Sequence, residues 1–249
     1  MNSSRMQKES QRKTLDDIGR DWDRNVQARA LELSTNSDAA YRSLCNHILK
    51  HLKEHAPVGS SVLDAGCGLG FLTKQIHDLK YNVVGVDVSH GSIRFAVDNF
   101  KGIDFEANSI EDYAVANSSK FHAVVANMVL HNTPDLGATL KAISKLLQPG
   151  GVLIGTIPHP AFYLYNRADL TAEQLGDYSE EHEVELPFRI RGGEPHPGLV
   201  SYYHRGLASY NKQLRRARLI DIAVDEPSRV GPGNPHDVLI LVAHESDSD

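Results

Sequence analysis

The sequence predicts an α/β fold: a doubly wound sheet of seven strands, mostly parallel with an antiparallel closing strand, interrupted by one inserted cap. Three observations predict it. Short apolar runs alternate with amphipathic stretches between Tyr41 and Ile157, the pattern of strands joined by crossover helices. One strand-to-helix junction, Val62-Leu63-Asp64-Ala65-Gly66-Cys67-Gly68-Leu69-Gly70, is dense in glycine. One stretch, positions 158–205, abandons the rhythm.

The glycine junction organises the chain. Ser61 to Leu63 reads as a buried strand, and Phe71, Leu72, Ile76 and Leu79 fall at helical spacing. Glycine lets a backbone turn sharply and approach a ligand, because no Cβ stands in the way. The helix start then offers free N–H groups. The spacing is Gly-x-Gly-x-Gly; a dinucleotide fingerprint would need its third glycine where Phe71 stands. The next strand, Asn82 to Val86, ends at Asp87, 17 residues beyond Gly70. A carboxylate there is placed to accept hydrogen bonds from both hydroxyls of a ribose.

With these residues the chain resembles the class I S-adenosylmethionine-dependent methyltransferases. Asp64 to Gly70 is similar to their first motif and Val86-Asp87-Val88-Ser89 to their second. The resemblance covers positions 55–157 and is specific for fold and cofactor rather than substrate. It implies a Rossmann-like sheet, S-adenosyl-L-methionine as cofactor, and methyl transfer to oxygen, nitrogen or carbon of a small-molecule acceptor. It implies cofactor contacts from Asp64, Gly66, Cys67, Gly68, Gly70, Asp87 and Val88. Asp64 would hold the glycine turn or the cofactor's ammonium. Asn108-Ser109-Ile110 would meet the adenine; Asn108 stands where aspartate is commoner, and its amide oxygen can still accept from an amino group. Asn127 and Met128 would flank the methionine portion. The tetrad of many base- and glutamine-directed members, Asn/Asp-Pro-Pro-aromatic, is absent after the fourth strand. Trp22 would belong to a lid over the cofactor, or simply anchor its helix.

Composition narrows the class further. A chain of 249 residues with 41% hydrophobic side chains can bury one good core. A net charge of −6 opposes a broad nucleic-acid surface. No apolar run reaches membrane-spanning length and no signal-peptide core opens the chain, so a cytoplasmic protein is expected. Cys45 and Cys67 make no disulfide framework, and no Cys/His cluster has zinc spacing, so no metal is expected. The expected partner is a small-molecule substrate, with no nucleic acid or membrane, and a homodimer is admitted.

Taken in order, residues 1–13 are polar and read as a mobile terminus. Residues 14–249 read as one domain, with a helical lid over 14–55. Its first helix runs from Leu15 to Leu33 and its second carries Tyr41, Leu44, Ile48 and Leu52, capped by Asn36, Ser37 or Asp38. Ser89 caps the helix after Asp87, and Thr133 or Asp135 the one after the fourth strand, Phe121 to Ala126. Val152 to Ile157 is the fifth strand; Leu219 to Val224 and Val238 to Ala243 close the sheet around the Gly/Pro loop 229–236.

The insertion, 158–205, is far longer than the usual connection and rich in aromatics. It reads as a substrate cap with short strands near 184–191 and 199–203. Phe162, Tyr165, Tyr202 and Tyr203 are its candidate substrate contacts. A hydroxyl or ammonium acceptor must lose a proton, and histidine is the natural base. Of the 13 histidines, His131, His159 and His204 follow strands or close the insertion and are the catalytic candidates. Such a base would give a pH–rate limb near 6–7. Two other classes compete: a non-catalytic cofactor-binding partner of another enzyme, and a nicotinamide oxidoreductase. The aromatic cap suits a small specialised metabolite.

Overall fold

The computed structural model describes residues 13–35, 39–167, 169–188, 198–227 and 238–246. The expected mobile terminus up to residue 12, the helix cap among Asn36, Ser37 and Asp38, and the loop 229–236 lie outside the described residues. Three helices precede the sheet: α1 (Leu15–Asp23), α2 (Val26–Ser34) and α3 (Ala39–His55). The continuous helix expected from Leu15 to Leu33 is divided at Arg24 and Asn25. Asn25 is buried, its Nδ2 donating to the Asp21 carbonyl at 3.0 Å and its Oδ1 accepting from the Gly198 N–H at 3.1 Å. A short amide side chain that bonds backbone in this way competes with helix continuation.

The sheet then alternates with helices: β1 (Ser61–Ala65), α4 (Phe71–Asp78), β2 (Asn82–Asp87), α5 (His90–Asn99), β3 (Asp104–Ala107), α6 (Ile110–Ala116), β4 (Phe121–Asn127), α7 (Leu136–Leu146) and β5 (Leu147–Pro158). Ser89 caps α5 and Asp135 caps α7 through their side chains, as their positions before apolar-periodic runs predict. β5 starts five residues before Val152, because Leu147 pairs with Phe121 ahead of a register shift. After the insertion come α9 (Leu207–Arg216), β8 (Leu219–Asp225) and β9 (Val238–Glu245).

The strand order is β3-β2-β1-β4-β5-β9-β8, with β9 antiparallel to β5 and to β8 and the other pairings parallel. The central strands are mostly apolar because helices cover both faces. One layer packs Leu140, Ile143 and Tyr210 against the sheet, the other Leu44, Ile48, Leu72 and Ile76. No helix among the described residues is long and apolar enough to cross a membrane.

The insertion folds into α8 (Ala172–Leu175) and a two-stranded antiparallel sheet, β6 (His182–Pro187) with β7 (Leu199–His204). Leu164, Val184, Leu186 and Tyr202 form its own small core. β6 starts earlier and ends earlier than the expected 184–191, and residues 189–197 lie outside the described residues.

Candidate active site

The parallel strands deliver their last residues to one edge, where an open α/β sheet binds ligands. Gly66, Gly68 and Gly70 take φ of 75°, 52° and 80°, a region that penalises side chains. The N–H groups of Gly66 and Cys67 both donate to the Val86 carbonyl, at 2.7 and 3.0 Å, which ties the turn to β2. A Cβ on Gly66 would lie 2.2 Å from Cγ2 of Val129, whereas one on Gly68 would meet no protein atom within 4 Å. Gly66 therefore serves packing, and Gly68 leaves open space.

Asp87 is clasped from two sides. The Gly68 N–H donates to its Oδ2 and the Ser89 N–H to its Oδ1, each at 2.8 Å. Burial raises its pKa, and the two N–H groups oppose that rise. Asp64 is deeper. Burial pushes its pKa up to about 7, with the Thr73 hydroxyl, 2.6 Å from Oδ2, acting the other way. Its Oδ1 is buried without a hydrogen-bond partner among the described residues.

Both carboxylates line a cavity of about 930 Å³. It runs from the glycine turn, past Asn108 and Asn127, to the underside of the cap at Tyr163 and Tyr202. The first three helices and the cap roof it. Trp22 of α1 meets Phe188 edge-on at 5.0 Å, and the Arg29 guanidinium sits over the Tyr41 ring at 5.1 Å and the Phe188 ring at 5.8 Å.

Every cofactor residue named from the sequence lines this cavity except Gly70 and Ser109. Gly70 is the left-handed N-cap of α4, where a Cβ would press on Phe105 at 2.9 Å. Ser109 caps α6 by accepting from the Asp112 N–H. Met128 is bound into the floor in the left-handed region at φ 58°, its N–H donating to both the carbonyl and Oγ1 of Thr156. That backbone conformation costs a non-glycine residue of order 1–3 kcal/mol, and such strain gathers at ligand sites.

The histidine candidates separate. His131 lines the cavity, 5.5 Å from the Tyr202 ring. Burial, helped by the charge of Arg205, pulls its pKa down to about 3, so the ring is neutral at ordinary pH. Its Nδ1 has no hydrogen-bond partner among the described residues. It does not cap the following helix; Asp135 does. His159 and His204 do not line the cavity. Nδ1 of His159 accepts from the Ala161 N–H and its ring packs on Phe162 at 4.4 Å. His204 shares the Tyr202 face of β7 but lies beyond the end of the cavity, buried, bonded to the Tyr178 carbonyl at 3.0 Å and packed on His182.

The substrate candidates separate by strand parity. Successive side chains on β7 point to opposite faces. Val200 and Tyr202 line the cavity, while Tyr203 lies against the Arg205 guanidinium at 5.2 Å. Phe162 and Tyr165 are partly exposed and do not line it; Tyr163 between them does.

Two contributors escaped the sequence. Arg205 is buried, and its guanidinium donates to the carbonyls of Leu130, Thr133 and Pro134 at 3.3, 2.8 and 3.1 Å. With the Tyr203 N–H on the His131 carbonyl at 2.8 Å, it fixes the loop that carries His131. Asn25 joins the lid to the cap as described. Only a lone charge at the end of an apolar strand hinted at Arg205, and nothing local marked Asn25.

Residues 57–187, just over half of the chain, match the family described as a methyltransferase domain. The chain belongs to the class I S-adenosylmethionine-dependent methyltransferase family. Among curated relatives, a ubiquinone biosynthesis O-methyltransferase of Thiobacillus denitrificans is 33% identical over 108 residues, covering 41% of this chain and 47% of that one. The chain thus spans about half the length of that relative. The enzyme of the same name from Aromatoleum aromaticum is 29% identical over 191 residues, covering 74% and 76%. The solved 1,6-didemethyltoxoflavin-N1-methyltransferase of Burkholderia thailandensis, with 1,6-didemethyltoxoflavin and S-adenosylhomocysteine bound, superposes with a TM-score of 0.57 at 19% identity, covering 90% and 87%. At that identity the likeness shows the fold. The family's cofactor suits the residues present: open space at Gly68, a clasped carboxylate at Asp87, and an orphaned carboxylate oxygen on Asp64.

Proposed function

We propose that this chain transfers a methyl group from S-adenosylmethionine to the hydroxyl of a small aromatic acceptor. The observation that carries this is continuity. One cavity is lined by Asp87 and Asn108 at the strand edge and by His131, Tyr163 and Tyr202 beneath the cap, so donor and acceptor can share it. Bound S-adenosylmethionine supplies an already activated methyl group. The chain's part is therefore alignment and exclusion of water.

Asp87 would accept from the ribose hydroxyls and Asn108 from the adenine amino group. Asn127, Met128 and the Asp64 carboxyl would hold the methionine end. Beneath the cap, Tyr163 and Tyr202 stand 5.1 Å apart, an aromatic wall suited to a flat ring. His131, neutral and held by its loop, would position the acceptor hydroxyl and receive its proton only as the bond to carbon forms. No pH–rate limb near 6–7 is then expected from His131 in the free protein, because its pKa lies near 3. The relatives named as O-methyltransferases favour oxygen as the acceptor atom. A cytoplasmic setting, with neither nucleic acid nor membrane as partner, is supported by the net charge of −6 and two buried free thiols.

The test is a transfer assay with methyl-labelled S-adenosylmethionine and a panel of phenols, aliphatic alcohols and amines. Label should enter a phenol, and Asp87→Ala should reduce the transfer. Tight binding of S-adenosylhomocysteine with no transfer to any acceptor would instead favour the non-catalytic partner.

A further inference from the structure

A second cluster lies at the other end of the sheet. The C-terminal end of α3 carries His51, Glu54 and His55. Positions i, i+3 and i+4 share one helix face, and a ligand atom from each lies within 4.8 Å of the others. Neighbouring strands frame the cluster. His244 of β9 pairs with Val152 near the start of β5, and its ring sits 5.2 Å from that of His55. The rings of His51 and His55 are stacked at 6.4 Å with 20° between their planes.

The His51 ring is held from behind. Its Nε2 lies 3.1 Å from Oδ2 of Asp225 in β8, and its Nδ1 lies 3.6 Å from Oε2 of Glu54. A neutral ring that donates from Nε2 to Asp225 turns the lone pair of Nδ1 toward a carboxylate oxygen. Nδ1 and Oε2 then converge on one point from adjacent turns of the helix, and the other oxygen of Glu54 lies 3.9 Å from the Lys50 ammonium. A carboxylate behind an imidazole is also how metal-binding histidines are oriented.

We propose that His51, Glu54 and His55 bind a divalent ion of the zinc class, with Asp225 as the positioning residue for His51. Two imidazoles and one carboxylate suit a borderline ion rather than calcium or magnesium, which prefer oxygen alone. Ligand atoms at zinc distances in a tetrahedron stand roughly 3.4 Å apart, close to the 3.6 Å between Nδ1 and Oε2. Glu54 and His55 are exposed, so their side chains can rotate to close the rest of the gap. The ion would brace α3 against β8. It would be independent of methyl transfer, because the cluster shares no residue with the cavity lining.

The untagged full chain, stripped with chelator, is titrated with Zn²⁺ by calorimetry and with Co²⁺ by visible absorption. One ion per chain should bind, and Zn²⁺ should raise the melting temperature. His55→Gln and His51→Ala should each weaken binding at least tenfold, and Asp225→Asn by about 10–100-fold. Circular dichroism and unchanged affinity for S-adenosylhomocysteine check that the variants are folded. No saturable uptake, or equal uptake by wild type and His55→Gln, would overturn the site.

Discussion

The two halves of the cavity are built by different means. The strand-edge half consists of main-chain turns and the residues that end β1, β2 and β4. Its geometry follows from local demands: three positive φ values, two N–H groups on one carboxylate, two N–H groups on one carbonyl. The cap half is assembled from segments far apart in sequence. Asn25 holds Gly198, Arg205 holds the loop from Leu130 to Pro134, and Trp22 meets Phe188. A site made of local turns keeps its form when distant segments change. A site made of distant contacts fails when any one of them is lost.

The largest effect should come from the turn itself. Gly68→Val places a branched side chain at φ 52° in the open space beside Asp87. No protein atom is met, so the fold should survive with a loss of about 1–3 kcal/mol from the strained backbone, while S-adenosylhomocysteine binding falls at least a hundredfold by calorimetry. An unfolded variant would show that the strand-edge half depends on more than its turn.

Arg205→Met should strike the other half. It leaves the Thr133 and Pro134 carbonyls without this donor, while the Leu130 carbonyl keeps the Thr133 hydroxyl at 3.1 Å. An acceptor so orphaned costs about 1–3 kcal/mol, and partial relaxation should hold the total near 2–4 kcal/mol in denaturant melts. Turnover should fall with stability, because the His131 loop loses its clamp, while cofactor affinity changes little. A loss confined to cofactor affinity would erase the distinction between the halves.

The adjacent tyrosines sharpen the contrast. Tyr202→Ala should raise the acceptor KM by about tenfold through lost aromatic contact, whereas Tyr203→Ala should lower the melting temperature and leave KM alone. The pair also shows why the cap was less legible than the turn. Aromatic content marked 158–205 as a cap, but which residue of Tyr202 and Tyr203 faces the cavity depends on how β7 pairs with β6 and docks on the sheet. The same holds for Tyr163 against Phe162 and Tyr165. The glycine turn, Asp87 and Asn127 were legible because strand ends and φ requirements are written in neighbouring residues. His159 misled because position after a strand says nothing of which side the ring takes, and His204 because it shares the Tyr202 face but sits two residues further along β7, against Tyr178 and His182. Asn25 broke an expected helix for a contact 173 residues away.

A smaller effect concerns pH. The folded pKa of His131 is depressed to about 3 from 6.5. As pH falls through that window, the unfolded chain takes a proton that the native ring refuses, so stability drops with acidification. Asp64 acts oppositely. Its folded pKa is raised to about 7 from 3.8, so the native state holds the extra proton and its contribution declines as pH rises through that window. The denaturant midpoint of His131→Asn should therefore fall less steeply below pH 6.5 than that of wild type. Parallel curves would place the ring in contact with solvent and the cap half open.

If one cavity joins a strand-edge cofactor site to an acceptor site beneath the cap, titration of S-adenosylhomocysteine into three proteins separates the two ends. Asp87→Ala should weaken binding by about 1–3 kcal/mol, as charge-assisted hydrogen bonds are lost, while Tyr202→Ala should bind as wild type does. Equal affinity in wild type and Asp87→Ala, or a loss in Tyr202→Ala as large as that in Asp87→Ala, would contradict it.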